Sequence, residues 1–137
     1  MSDPDQQAAT ALLAEAEAAY LEAFQESKEI LRDPANPDNE ALIEAHFTGP
    51  NLEATREALR LTIDGNFVAR VNEDNPTFAI VVEPAEFVDG DTTLAHMTVC
   101  EFNSDRLYTV GDAPNGADSL FRDDPVSLLI VTKVEWV

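Results

Sequence analysis

The chain has 137 residues, 27 acidic against 8 basic, a formal net charge of -19 and 45% hydrophobic side chains. That is the size of one domain, with enough apolar material for one core, so the composition excludes disorder despite the charge. The charge also excludes nucleic acid and an anionic membrane surface, because phosphate binding needs clustered Lys and Arg.

Asp3 followed by Pro4 reads as an N-cap with proline at the first helical position. Leu12, Leu13, Ala16, Ala19, Tyr20, Ala23, Phe24, Ser27, Ile30 and Leu31 then recur at helical spacing. Glu15, Glu17, Glu22, Glu26 and Glu29 fill the other face. The pattern predicts a helix from about residue 4 to 32, stopped by Pro34 and about 40 Å long. A Pro/Asn/Asp loop over 33–39 leads to a short helix carrying Leu42, Ile43 and Phe47, ended by Gly49. Pro50 starts a third helix, with Leu52, Thr55, Leu59 and Ile63 on one face and Gly65 as its stop.

After Gly65 the period becomes alternating. Strands are predicted over 67–71, over 77–82 with an extension to Val88, over 92–102, over 107–110 and over 126–137. Asp89-Gly90 is the strongest hairpin signal in the chain. Residues 111–118 read as a loop. The whole is one α+β domain over 1–137, helices over about 4–64 and strands over about 67–137. The helices pack in the concave face of a curved, mostly antiparallel sheet of four to five strands, around an internal cavity.

This order resembles the nuclear transport factor two-like superfamily, the cystatin-like α+β cone that includes SnoaL-like and ketosteroid-isomerase-like proteins. Within it, the chain looks most like small actinobacterial domains of unknown function. The carriers are Ala19-Tyr20-Leu21-Glu22-Ala23-Phe24, Phe47-Thr48-Gly49-Pro50-Asn51-Leu52, Val88-Asp89-Gly90-Asp91-Thr92, Thr98-Val99-Cys100-Glu101 and Val134-Glu135-Trp136-Val137. The resemblance implies homodimers formed through the sheet. It also implies one further strand after Val-Glu-Trp-Val: either the sequence stops short of it, or the sheet lacks it and 126–137 is an exposed sheet edge. Enzymes of the superfamily use a cavity base with acidic or tyrosine donors. Tyr20 alone falls near such a position, and the base has no convincing counterpart, so the enzymatic activities do not carry over.

Candidate residues follow from this layout. Tyr20 is read either as a cavity hydrogen-bond donor or as a core tyrosine with one partner. Glu101 is the weak candidate for a cavity carboxylate of raised pKa. Alternation places Leu94, His96, Thr98, Cys100 and Phe102 on one strand face, Ala95, Met97, Val99 and Glu101 on the other. His96 and Thr98 are read as a polar patch in the cavity, or else as part of a solvent or dimer face. The expected cavity lining is Tyr20, Phe24, Leu59, Ile80, His96, Thr98 and Trp136. His96 and Cys100 lie about 13 Å apart along the strand and cannot share a metal. Asp64, Arg70 and Glu101 are the nearest set for a water-activating carboxylate–arginine triple. Cys100 reads as a small buried hydrophobe, His46 as a helix-end histidine, and Asp112, Asn115 and Asp118 as too irregular for a calcium loop.

One cysteine excludes an internal disulfide and a Cys-x-x-Cys redox pair. No phosphate-cradling glycine motif, G-x-S-x-G or H-E-x-x-H occurs, so neither a metal nor a cofactor is expected. As written, the sequence predicts a cytoplasmic protein without membrane insertion; removal of a leader or lipid anchor makes it extracytoplasmic. The leading functional expectation is a domain binding a small apolar ligand or serving as an interaction module. The rivals are a ketosteroid-isomerase, cyclase or epoxide-hydrolase-like enzyme using Tyr20 and Glu101, and an acidic protein-binding module.

Overall fold

The structure is a computed structural model describing the backbone of residues 4–88 and 91–135. The Asp3 cap, the Asp89-Gly90 turn and Trp136 lie outside the described residues.

Three helices precede six strands. They are α1 (Pro4–Arg32), α2 (Asn39–His46), α3 (Gly49–Asp64), β1 (Phe67–Arg70), β2 (Phe78–Val88), β3 (Asp91–Asn103), β4 (Arg106–Thr109), β5 (Ser119–Arg122) and β6 (Val126–Glu135). The α+β class therefore holds. The strands form two antiparallel three-stranded sheets, ordered β1-β4-β5 and β2-β3-β6, rather than one sheet of four to five. β1 pairs with β4, Phe67 opposite Thr109, although β2 follows it in sequence. The short Ser104–Asp105 turn hands the chain from β3 in one sheet to β4 in the other.

α1 spans both sheets, packing on β2 and β3 and also on β1. Its stripe serves two clusters. Toward the amino end, Leu13 and Tyr20 pack on buried Ala85, Met97 and Val99. Toward the carboxyl end, Ile30 joins Ile43 and Leu59, flanked by Leu42, Phe47 and Leu52. Arg32 locks this end. Its Nε and Nη2 donate to the two Asp105 carboxylate oxygens at 2.9 and 3.0 Å. The Thr77 hydroxyl donates to Asp105 at 2.6 Å, so the β3–β4 turn is held from two sides.

Gly49 does not end α2; it opens α3, at φ 55°, with Pro50 behind it. At the other end of α3 the left-handed residue is Asn66, at φ 57°, and not Gly65. Asn66 accepts from the Val110 amide at 2.8 Å and donates its side-chain amide to the Val110 carbonyl at 2.9 Å. Gly65 is required for a different reason: a Cβ there would collide with the Phe67 ring.

Candidate functional site

A cleft of about 510 Å³ lies between α1, the α2–α3 pair and the sheet. Positions 16, 19, 20, 23, 24, 27 and 28 of α1 form one wall, because residues three and four apart share a helix face. Ala16, Ala19 and Ala23 hollow that wall between the larger Tyr20 and Phe24. Phe47, Thr48, Asn51, Ala54, Thr55 and Ala58 form the opposite wall, and Glu101 and Ile130 close the sheet side.

Tyr20 and Glu101 meet in this cleft. The Tyr20 hydroxyl donates to Glu101 Oε2. Partial burial, then this bond, then the negative charge push the Tyr20 phenol above its ordinary pKa. Lys28 stands two turns farther along the helix. Its ammonium lies 5.1 Å from the Phe24 ring centroid. Burial lowers its pKa, against opposing pulls from Glu101 and Asp105. Asp105 is already bound to Arg32. Among the described residues, no carboxylate lies within ion-pair distance of Lys28.

Of the residues singled out from sequence, the structure brings Tyr20, Phe24 and Glu101 to the cleft. His96, Thr98, Leu59 and Ile80 do not border it. The two faces of β3 are as alternation divides them, but the helix covers the other one. Ala95, Met97 and Val99 are buried under α1, and Glu101 continues their row. His96 is exposed; buried Thr98 and half-buried Cys100 share its strand face, opposite Glu83 and Ile80 in the register. Leu59 belongs to the core cluster with Ile30 and Ile43. Ile80 shares the outer face with Phe78 and Leu129, exposed by 52, 47 and 70% respectively. That is the surface a pairing of copies through the sheet would bury.

The triple Asp64, Arg70 and Glu101 is not assembled. Asp64 pairs with Arg60 at 2.9 Å, Arg70 with Asp118, and Glu101 with Tyr20. Glu40 and Glu44 turn to Arg56, at 2.5 and 3.0 Å, and His46 borders the cleft. Asp118 accepts the Gly111 amide at 3.0 Å, an ordinary loop clasp. No metal-binding group of three or more ligands occurs among the described residues. None of their helices is long and apolar enough to cross a membrane.

Lys28 is the cleft residue that sequence reasoning missed. Its signal was its place four residues after Phe24 and eight after Tyr20.

The fold and cleft define an α+β domain with a helix-walled groove over an antiparallel sheet. No protein-family profile matches the chain, and no curated protein matches it. Among solved structures, the crystal structure of the intermembrane space region of the chloroplast protein ARC6 is similar. It has 14% identity and a TM-score of 0.52, covering 88% of this chain and 86% of that one. At that identity the likeness concerns the fold alone.

Proposed function

We propose that this chain is a non-catalytic binding domain of the nuclear transport factor two-like kind, which takes the apolar body of a small ligand into the cleft. The pairing of Tyr20 with Glu101 carries this reading. A general acid and a general base must each come within hydrogen-bond reach of the substrate. Here the donor and the base are engaged with each other, and a hydrogen bond to a charged group is worth about 1.5–3 kcal/mol. The phenol, pushed above its ordinary pKa, is a poorer acid still. What remains open to a ligand is the slope of Ala19, Ala23, Phe24, Phe47 and Ile130. Wall residues of this size and polarity suit a small aromatic or aliphatic body.

The test is titration with the neutral fluorescent aromatic N-phenyl-1-naphthylamine. Wild type and Ile80→Asp bind it, and Ala23→Trp, which fills the cleft, weakens binding about tenfold or more. Binding retained in Ala23→Trp but lost in Ile80→Asp places the reporter on the outer sheet face and overturns the reading.

A further inference from the structure

We infer that Lys28 anchors an anionic head group, so that the cleft takes amphiphiles with an apolar body ending in one carboxylate or sulfonate. This rests on the binding reading above and adds the chemistry of the head. In a chain with 27 acids against 8 bases, Arg32, Arg56, Arg60, Arg70 and Arg106 each face a carboxylate. Arg122 and Lys28 have none within ion-pair distance among the described residues, but Arg122 is exposed whereas Lys28 is partly buried in the cleft wall.

Lys28 is not on the open surface, where water would satisfy it. It lies in the cleft wall and is partly buried. Its nearest described compensation is the Phe24 ring at 5.1 Å. Such a contact recovers only part of the hydration lost by an ammonium, which offers three donors. The two neighbouring carboxylates are both occupied, Asp105 by Arg32 and Thr77, and Glu101 by Tyr20. An anionic head would supply the missing acceptor in the same cleft that receives the apolar body. A cationic head would meet Lys28 as a like charge. A purely apolar ligand would cover the ammonium and leave it without an acceptor, at the cost of an unsatisfied charged group.

The global charge of -19 acts against this ligand at long range. Its field is screened within about 8 Å at physiological ionic strength, whereas the contact with Lys28 is local and sheltered. Affinity for an anionic amphiphile therefore rises between low and physiological salt. That is the reverse of binding driven by the overall charge.

Two reporters separate the head from the body. 8-Anilino-1-naphthalenesulfonate has the aromatic body of N-phenyl-1-naphthylamine plus one sulfonate. Both are titrated into the full chain at pH 7, with Lys28→Met, Lys28→Arg and Ala23→Trp beside the wild type. The sulfonate binds the wild type about tenfold more tightly than the neutral compound, and Ala23→Trp weakens both. Lys28→Met abolishes the preference, weakening the sulfonate and strengthening the neutral compound, whose binding no longer covers an unsatisfied ammonium, whereas Lys28→Arg keeps it. A preference that survives in Lys28→Met, or none in the wild type, overturns the assignment while leaving cleft binding standing. Neutral binding indifferent to Ala23→Trp overturns the binding reading itself. A melting curve of Lys28→Met no worse than wild type shows that its loss of preference is not a loss of fold.

Discussion

Tyr20 and Lys28 sit on the same helix stripe and titrate in opposite senses. The folded state holds the Tyr20 phenol above its ordinary value, first through burial and then through Glu101. The protonated form is the one the fold favours. This contribution is fully present below about pH 10, the ordinary phenol value, and is lost only as pH rises through the higher folded value. The difference in 295 nm absorbance between wild type and Tyr20→Phe therefore shows no phenolate from Tyr20 up to pH 10. A phenolate signal below that point contradicts the pairing with Glu101. Lys28 is the converse case. Burial lowers its folded value below the ordinary 10.5, so the unfolded chain binds the proton more tightly. The charged form costs stability at neutral pH, and the cost disappears as pH approaches 10.5. Lys28→Met is expected to melt higher than wild type at pH 7, with the gain shrinking toward pH 10. An equal or lower melting temperature at pH 7 contradicts it. Tyr20 and Phe24 were legible in the sequence because helical period alone places them on the buried stripe. Lys28 was not, because a lysine stem lying along apolar surface usually carries its head to water, and only the surrounding walls show that this one stays in the cleft.

The helices were legible to within a residue or two because proline, glycine and polar loops punctuate them. β5 was not. Ser119–Arg122 offers only Leu120 and Phe121, and its support is tertiary: Leu120 lies opposite Tyr108, and Phe121 stacks 4.6 Å from Phe67. The split into two sheets was equally hidden, since no local pattern says that β1 pairs with β4 rather than β2. Alternation left open which face of β3 meets α1, because both faces offer apolar residues. The covered face is the one whose compact Ala95, Met97 and Val99 fit beneath the helix. The joint between these elements is the Arg32–Asp105–Thr77 cluster, with the Asp105 side chain only 6% exposed. Asp105→Ala leaves Arg32 without its partner and frees the β3–β4 turn, and removing one partner of such a pair costs about 3 kcal/mol. Urea unfolding checks this, and a loss below about 1 kcal/mol means the cluster does not fasten α1 to the sheets.

At the scale of the molecule, α1 fastens two three-stranded sheets together and leaves a groove beside α2 and α3. The ARC6 region is similar in fold at 14% identity, so the likeness lies in the fold and not in the side chains. Such a scaffold gives function no fixed chemistry, and the residues in the groove decide what it takes. The acids elsewhere serve a different purpose. Glu40, Glu44 and Glu57 lie on exposed helix faces, in surface ion pairs that contribute little to stability. A crystal structure of the protein with N-phenyl-1-naphthylamine bound tests the account most directly. The account predicts its rings between Ala23 and Phe24 of α1 and Phe47 and Thr55 across the cleft. Rings lying instead over Phe78, Ile80 and Leu129, with the groove empty, would contradict it.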